Sequence, residues 1–412
     1  MLPEGWEIIH LGDCLSMLRS GLSRNLSSED IGVPVIRSGN MTDEYINFEE
    51  LKYWHIDDPQ GSDTSNYILD DGDLLISFIN SQAQIGKTSI FFNKINRPCI
   101  YTTNILRAKP SANLDLRYFF YVTKTKDYDD YIQSITKPAV NQASFTTKDF
   151  QKYKFQLPPL PEQKKIARIL STWDNAISAT KRLLENSQQR KKALMQQLLT
   201  GKKRLPGFEG EWRLKTLNDL YSFKRGKGLS KDLVIPNGKN KCVLYGELYT
   251  KYGEVISSVI SKTDSHDGLL SIAGDVLLPS STTTTGIDLA NATAVLEDEV
   301  LLGGDIIVLR PKELLDPIFM SHLLTHVKKH EIAVKAQGIT IIHLYGSDLK
   351  KIAVNIPENY DEQKAIVKVL TTAYQENELL QKRLDHLRLE KKALMQQLLT
   401  GKRRVVVDTD AA

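Results

Sequence analysis

Apolar residues recur at helical spacing in two long segments of the chain, residues 162–201 and 362–401. Their separations are threes, fours or sums of these, as expected for one apolar stripe along a helix. Neither segment contains proline or an internal glycine, and each ends at a glycine followed by basic residues. The pattern predicts two helices, each roughly 60 Å long. The stripes include Trp173, Ile177, Leu184, Leu194 and Leu198 in the first segment and Leu380, Leu384, Leu387, Leu394 and Leu398 in the second.

The two segments are copies of one another. The string KKALMQQLLTGK stands at residues 191–202 and again, unchanged, at residues 391–402, and Glu-Gln-Lys at 162–164 recurs at 362–364. Because an apolar stripe of this length is unfavourable in water, each helix needs a partner, and we predict that the copies pair with each other in antiparallel fashion. Two unrelated helices on separate cores would have no reason to share length and register. Polar residues predicted at the seam are Thr180, Ser187, Lys191, Asn377 and Lys391.

The remaining chain forms two blocks with mixed helix and strand signals. In the first block, strand-like runs occur at residues 34–37, 74–79, 88–92 and 104–108, and a helical pattern covers 116–135. The second block repeats several features of the first, notably a Gly-Asp followed by apolar residues at Gly72 and Gly274. We therefore predict an α/β chain with two globular domains separated by a pair of long antiparallel coiled-coil helices, as a pseudo-twofold internal repeat. Its segments are residues 1–157, 158–204, 205–357 and 358–412.

Composition restricts the class of protein. No apolar run in the 412 residues is long enough to span a bilayer, and the N-terminus lacks the pattern of a signal peptide. Cys14, Cys99 and Cys242 are isolated in the sequence, which indicates a reducing compartment and no cysteine-based metal framework. We expect a cytoplasmic protein that does not contact a membrane.

Positive charge is concentrated near the ends of the two predicted helices. The net charge of the chain is +4, but residues 181–204 carry +7 and residues 382–404 carry +6, so the remainder carries 4 − 7 − 6 = −9. Such runs are often solvated faces, and the alternative is a surface that faces a polyanion, most plausibly DNA. The blocks themselves are acidic, with −4 for residues 1–157 and −1 for residues 205–357.

Polar and basic loops in the blocks are candidates for DNA contact, because recognition surfaces are usually carried on loops and Asn, Gln, Arg and Lys can bind base edges or phosphates. Plain solvent exposure is the alternative for each residue. The candidates in the first block are Arg19, Arg24, Ser77, Asn80, Gln82, Gln84, Lys87, Lys137, Asn141 and Gln142. Those in the second block are Lys224, Arg225, Lys227, Lys231, Ser280, Thr283 and Lys335.

Other chemistries have weaker support. Residues 81–88 approach a phosphate-binding loop, but Ser81 replaces the first glycine and no clear helix follows. His322, His326 and His330 are one helical turn apart, but no acid completes a metalloprotease arrangement, so a solvated helix face is the expected explanation and no metal is predicted. We find no catalytic constellation of nucleophile and base, or of paired carboxylates.

Two dissimilar blocks, each joined through a proline link and a "PEQ" or "DEQ" sequence to a long helix ending in LLTGK, resemble the specificity subunit of type I restriction-modification systems. The resemblance covers residues 6–401. It implies a non-catalytic subunit whose two target-recognition domains read the halves of a split, asymmetric site in double-stranded DNA. The stripe residues named above would then be spacer and partner-docking residues.

The resemblance also implies partners and cofactors. Two modification (methyltransferase) subunits would dock on the helices and use S-adenosylmethionine to methylate an adenine flipped from the duplex, and restriction subunits would use ATP and Mg. No cofactor is expected in this chain. The second link, residues 356–361, lacks the double proline of the first, so its geometry is expected to differ. A coiled-coil scaffold that binds proteins, and a fused nuclease or methylase, are the alternatives.

Overall fold

The computed structural model describes residues 2–43, 45–138 and 142–407. The chain folds into two compact units, of which the first comprises Met1–Thr180 with Arg383–Ala412 and the second comprises Lys181–Lys382. Each long helix therefore contributes one half to each unit.

The first unit is built on a four-stranded antiparallel sheet in the order β2-β9-β5-β7, with smaller sheets β4-β3-β8, β10-β11-β6 and β1-β12. Its strands are β1 (Glu7–His10), β2 (Leu15–Ser20), β3 (Val33–Ile36), β4 (Lys52–Trp54), β5 (Leu74–Ser77), β6 (Ile79–Asn80), β7 (Thr88–Ile90), β8 (Ile100–Tyr101), β9 (Ile105–Pro110), β10 (Lys137–Pro138), β11 (Ala143–Ser144) and β12 (Lys154–Leu157). Its short helices are α1 (Leu116–Val122), α2 (Lys126–Ile135) and α3 (Thr147–Gln151), with 3-10 turns at Leu11–Cys14, Ser38–Asn40 and Thr64–Tyr67.

The second unit repeats this plan around a five-stranded sheet in the order β14-β23-β19-β21-β16, with smaller sheets β17-β15-β22-β18, β13-β25 and β20-β24. The long helices are α4 (Leu160–Leu198) and α10 (Tyr360–Leu398). The strands of this unit are β13 (Trp212–Thr216), β14 (Tyr221–Arg225), β15 (Asn240–Val243), β16 (Val255–Ile256), β17 (Ser261–Thr263), β18 (Leu269–Leu270), β19 (Val276–Pro279), β20 (Ser281–Thr282), β21 (Thr293–Val295), β22 (Leu301–Leu302), β23 (Ile306–Pro311), β24 (Ile342–His343) and β25 (Ala353–Pro357). Its short helices are α5 (Leu217–Leu220), α6 (Glu247–Thr250), α7 (Pro317–His322), α8 (Lys329–Ala333) and α9 (Gly346–Leu349), with 3-10 turns at Lys231–Leu233 and Asp288–Ala290 and a π-helical turn at Leu323–Val327.

The region predicted as one helix over residues 116–135 is two helices, α1 and α2. Thr125 interrupts it, because its hydroxyl donates to the Val122 carbonyl at 2.7 Å and caps the backbone N–H of Tyr128 at 3.4 Å. Short hydroxyl side chains compete with the backbone for hydrogen bonds, and this favours a cap over continuation of the helix.

The long helices pair within each unit, and the pairing runs antiparallel. In the first unit, Asp174 of α4 forms an ion pair with Lys391 of α10. In the second unit, Arg190 of α4 forms an ion pair with Glu376 of α10. Residue numbers thus fall along one helix as they rise along the other. Thr180 and Ser187, both predicted at the seam, are buried.

The end of each helix packs into the core of a block that is distant in sequence. Leu398 and Leu399 of α10 belong to the core of the first unit, with Ile166 and Leu170 of α4. Leu198 and Leu199 of α4 belong to the core of the second unit, with Ile366 and Leu370 of α10. The C-terminal end of the chain therefore completes the core of the N-terminal block.

A matched cluster of tryptophan, glutamate and arginine anchors each helix end. In the first unit the buried Glu162 accepts from Trp6 Nε1 at 3.0 Å and binds the Arg404 guanidinium through two contacts of 2.8 Å. In the second unit Glu362 accepts from Trp212 Nε1 at 3.4 Å and from Arg204 Nη2 at 2.7 Å. A carboxylate bound at two points by a guanidinium holds a defined geometry, which explains why the Glu-Gln-Lys sequence recurs.

The two links preceding the long helices share one type of hydrogen bond but differ in its span. The glutamine amide reaches back 5 residues in the first link and 6 in the second, so the geometry of the second link differs, as expected. Gln163 Nε2 donates to the Pro158 carbonyl at 2.8 Å, and Gln363 Nε2 donates to the Pro357 carbonyl at 3.0 Å. Asn359 stands where the first link has its second proline, and its side chain accepts from the Asp361 N–H at 2.8 Å. An asparagine cap thus replaces the conformational restriction of proline.

Candidate nucleic-acid interface

One end of the central sheet in the first unit brings together loops that are far apart in sequence. Ser20, at the end of β2, lies opposite Leu106, and Ser77, at the end of β5, lies opposite Ile105. Arg19 and Ser77 are thus strand residues, and the loops that follow β2 and β5 leave the sheet at the same end. Strand β6 then pairs with β11, which in turn pairs with β10, so Asn80 lies opposite Ala143 and close to Lys137 in the same small sheet.

The first-unit candidates differ in how available their side chains are. Arg19, Gln82, Gln84, Lys137 and Gln142 are exposed, whereas Asn80 and Lys87 are half-buried and Ser77 is buried. Asn80 Nδ2 donates to Ser77 Oγ at 3.0 Å, which orders the start of the loop. Lys87 lies 3.4 Å from Asp43. Asn141 lies outside the described residues.

Arg24 is the candidate most engaged within its own domain. Its Nε lies 3.1 Å from both carboxylate oxygens of Asp58, and its Nη2 donates to Ser62 Oγ at 2.7 Å. This guanidinium lowers the pKa of Asp58, together with backbone N–H groups and the Trp54 indole. The position of Arg24 shows that it orders the loop at residues 58–62, and DNA contact by this residue stays a prediction.

The corresponding end of the second unit has the same construction with different side chains. Arg225 lies opposite Ile307 and Pro279 opposite Ile306, so the loops after β14 and β19 leave the sheet together. Asp305 connects them, since it accepts from Arg225 Nη2 at 3.1 Å and from Ser281 Oγ at 3.0 Å.

A cavity of about 280 Å³ lies at this end of the second unit. It is lined by Lys224, Arg225 and Ser280, which the sequence singled out, and by His343, Tyr345 and Lys350, which it did not. The His343 and Tyr345 rings stack with centroids 6.3 Å apart. One feature of the sequence could have identified these residues: His343 and Tyr345 stand at alternate positions, and a pair of aromatic rings beside a lysine is typical of nucleic-acid surfaces. Pairing of β24 with β20 places these residues at the cavity, and local sequence does not predict that pairing.

The second-unit candidates differ in exposure and in the surface to which they belong. Lys224, Arg225, Lys227, Lys231 and Thr283 are exposed, Lys335 is half-buried and Ser280 is buried. Lys227 lies 3.2 Å from Asp267. Lys231 lines a separate groove together with Glu247 and Asp305. The basic loop at residues 224–231 is therefore divided between two surfaces.

The repeated Gly-Asp sequence has a structural explanation in both units. Gly72 and Gly274 have φ of 89° and 102°, a conformation that glycine tolerates best. In the second unit Asp275 accepts from Arg310 Nε at 2.9 Å and Nη2 at 2.8 Å, and from the Ile272 N–H at 2.9 Å. In the first unit Asp73 accepts from the Asp70 N–H at 2.8 Å and pairs with Arg107 through Nε alone, because Arg107 Nη2 binds Asp70 at 2.8 Å. The motif thus fixes the turn that leads into the central strand.

His322 is buried rather than part of a solvated helix face, which corrects the expectation from sequence for this residue, whereas His326 and His330 are exposed. His322 is buried and Glu254, from the loop after α6, supplies an acid next to both rings. Burial lowers the pKa of His322 to about 4, so its imidazole is neutral at pH 7. Burial raises the pKa of Glu254, but the hydrogen bond from His326 and the two imidazoles outweigh it and bring that pKa to about 2. His330 is exposed and lies outside this cluster.

Comparison with known proteins assigns the family. The family model described as the type I restriction modification DNA specificity domain matches residues 3–186 and again residues 209–389. The chain belongs to this family.

Relatives of this specificity-domain chain extend over nearly its whole length. It is 28% identical to the putative type I restriction enzyme MjaX specificity subunit of Methanocaldococcus jannaschii, over 98% of this chain and 95% of that protein. It is 24% identical to the MjaVIII specificity subunit of the same organism, over 98% and 94% of the two chains. The fold matches that of the S subunit of a type I restriction-modification system from M. genitalium, with a TM-score of 0.59, 14% identity and 96% of both chains covered.

These findings confirm the predicted family and fold class. The protein is a type I restriction-modification specificity subunit with a mixed α/β fold, two repeated target-recognition domains and two long helices. Among the described residues, none of the helices combines the length and apolar character needed to cross a bilayer.

Proposed function

We propose that this specificity subunit reads a split, asymmetric site in double-stranded DNA, one half with each target-recognition domain, and docks two identical modification subunits. Catalysis, with S-adenosylmethionine, ATP and Mg, would then reside in the modification and restriction subunits. The observation that carries the proposal is a contrast between surfaces. The loops at the corresponding sheet ends differ in sequence, whereas the helix surfaces at residues 191–202 and 391–402 carry the same residues.

Packing in the two cores explains why some, but not all, residues of the KKALMQQLLTGK string are identical in the two copies. Leu198 and Leu199 are buried, as are Leu398 and Leu399, so their identity is required by the two cores. The exposed positions are also unchanged, although no core requires it. These positions are Lys192, Ala193, Gln196 and Gln197 and their counterparts Lys392, Ala393, Gln396 and Gln397. Two equal surfaces on one chain suit two copies of one partner.

Each of these surfaces borders a groove. In the first unit a groove of about 760 Å³ is lined by Lys392, Met395 and Gln396 of α10 and by apolar residues such as Ile8 and Val122. In the second unit a groove of about 520 Å³ is lined by the counterparts Lys192, Met195 and Gln196 of α4. The first groove has the apolar lining with a charged and amide rim that is expected of a protein-binding surface, and the second groove presents the same lysine, methionine and glutamine from its helix.

Exchange of residues 1–157 for the corresponding domain of another specificity subunit tests the recognition half of the proposal. We expect the methylated adenine in one half-site to move to the donor's sequence and the other half-site to remain. The measurement is mapping of methylated adenines in DNA from cells that express the chimera with the modification subunits. A change in both half-sites would contradict independent reading, and absence of any salt-dependent DNA binding by the assembled complex would favour a protein-binding scaffold.

Charge reversal on the repeated surface tests the docking half. Lys192→Glu and Lys392→Glu are each expected to weaken binding of one modification subunit by about tenfold or more. The introduced carboxylate would face the partner groups that the lysine attracts, and like charges across an interface rim are unfavourable. Native mass spectrometry should then show one bound subunit for each single variant and none for the double variant. Arg383→Glu, also exposed on α10 but outside the groove lining, is the matched control. Two bound subunits in the double variant would contradict the proposal.

A further inference from the structure

Two histidines and a glutamate converge in the second unit, away from the sheet end that carries the DNA-contact candidates. Glu254 Oε1 lies 2.5 Å from His326 Nε2 and 4.0 Å from His322 Nδ1. One ligand atom from each residue lies within 4.8 Å of the others. The three side chains are thus close enough to share one small ligand.

His322 is the member whose position ordinary packing does not explain. Its side chain is 8% exposed, and Nδ1 is buried without a hydrogen-bond partner among the described residues. A buried polar atom without a partner costs on the order of 1–3 kcal/mol, so such atoms usually have a bound water, ion or ligand. Nδ1 lies 4.0 Å from Glu254 Oε1, so the unpartnered nitrogen lies inside the cluster.

The elements that carry the three residues are held to the same short strand. The Ala294 N–H donates to the Glu254 carbonyl at 2.9 Å, and Thr293 Oγ1 donates to the Gly253 carbonyl at 2.9 Å. On the helical side, Thr325 Oγ1 accepts from the Ala292 N–H at 2.9 Å. Residues 292–294 thus fix both the acid and the histidines, which is the preorganisation a binding site requires.

A π-helical turn aligns the two histidines. The Lys328 N–H donates to the Leu323 carbonyl at 3.1 Å, and the π-helical turn covers Leu323–Val327. Because a π turn contains more residues than an α turn, side chains four apart come closer to the same direction. The rings of His322 and His326 accordingly stack, with centroids 5.7 Å apart and an angle of 23° between planes.

We propose that Glu254, His322 and His326 bind one divalent first-row transition metal ion, of which zinc is the best candidate. Two imidazoles and one carboxylate are a recognised zinc ligand set that leaves a fourth position for water, whereas Mg²⁺ and Ca²⁺ prefer oxygen ligands. Tetrahedral zinc with bonds of about 2.0–2.2 Å separates its ligand atoms by about 3.3 Å. The Glu254–His distances of 2.5 and 4.0 Å lie on either side of that value, and all three ligand atoms lie within 4.8 Å of one another. Side-chain shifts on the order of 1 Å would therefore seat the ion.

Binding would join the loop at Glu254 to the helical segment at residues 322–326, and within residues 2–43, 45–138 and 142–407 no other group of three His, Cys, Asp or Glu side chains comes this close. At the corresponding place in the first unit, Tyr121 donates its hydroxyl to Asp174 Oδ2 at 2.6 Å, and Lys391 pairs with the same carboxylate. An ammonium group and a phenol fill that position without a metal. The expected stoichiometry is therefore one ion per chain.

The test is isothermal titration of the full-length chain with zinc after chelator treatment and removal of any histidine tag. We expect one zinc per wild-type chain, and cobalt substitution should give the visible absorption bands of a tetrahedral site. Glu254→Gln and His326→Ala are expected to weaken zinc binding by at least about 100-fold, since loss of outer-shell partners alone costs 10–100-fold. Both variants spare the buried His322 and so retain the packing of α7.

His330→Ala is the matched control, because His330 is an exposed histidine four residues beyond His326 and outside the cluster. It should bind zinc as the wild type does. Hydrogen exchange should show zinc-dependent protection at residues 253–256 and 320–328, and none at residues 116–124. Absence of zinc binding by the wild type would overturn the proposal, as would wild-type affinity in both Glu254→Gln and His326→Ala. Neither outcome bears on DNA recognition.

Discussion

Leu398→Ala is expected to destabilise the first unit by about 2–5 kcal/mol, although the substitution lies near the opposite end of the chain from residues 1–157. Leu398 is 3% exposed and packs in the core that contains Trp6 and Leu170. Removing its side-chain carbons leaves a cavity that this core can fill only in part. Hydrogen exchange with mass spectrometry should show the loss of protection in residues 1–157.

Leu198→Ala is the matched control for this prediction. Leu198 occupies the same position of the same repeated string and is 1% exposed, so the local effects of the substitution on the helix cancel in the comparison. Its core contains Leu217 and Ile366, and we expect the loss of protection in residues 212–357 instead. If Leu398→Ala destabilised only the second unit, or both variants affected the same residues, the assignment of helix ends to cores would be wrong.

Asp275→Ala is expected to lower the free energy of unfolding of the second unit by about 3 kcal/mol, because it leaves a largely buried guanidinium without its counterion. Asp275 is fully buried, and the side chain of Arg310 is 21% exposed. The substitution also removes the acceptor of the Ile272 N–H. Urea unfolding followed by unit-resolved hydrogen exchange measures the loss.

Asp275→Asn separates the two contributions. An asparagine oxygen can still accept from the Ile272 N–H, so a smaller loss is expected, which reflects the missing charge and the one acceptor that Arg310 loses. Asp73→Ala should destabilise the first unit by a smaller amount, since Arg107 keeps Asp70 as a second carboxylate partner. Equal stability of Asp275→Ala and the wild type would show that the Gly-Asp sequence is not maintained by its ion pair.

Several elements were predictable because local periodicity determines them. The two long helices were predicted at residues 162–201 and 362–401 and are found at Leu160–Leu198 and Tyr360–Leu398. Each apolar stripe requires a partner helix, and the repetition of the segment identified the other copy as that partner. The boundary between α1 and α2 was missed because the helical apolar pattern continues through Thr125. A hydrogen bond from the Thr125 side chain to the Val122 carbonyl ends α1, and the apolar pattern does not record it.

The candidate site was predictable to a smaller extent. Residue type and loop position singled out Lys224, Arg225 and Ser280, which do line one cavity. The same reasoning could not separate Arg24, whose guanidinium binds Asp58, from the exposed Arg19. Both residues are arginines in or next to polar loops. Arg24 is engaged within its own domain because a carboxylate 34 positions away in the sequence binds it.

The sequence by itself determined the family, the internal repeat and the helices, because each depends on residue identity or on contacts within a few turns. Only the tertiary structure decided which core each LLTGK end completes, and it did so because the two strings are identical and only their partners differ. It also placed Glu254 beside His326, 72 residues away, through hydrogen bonds to β21. Contacts between distant residues depend on how strands pair and helices pack, and no local pattern records them.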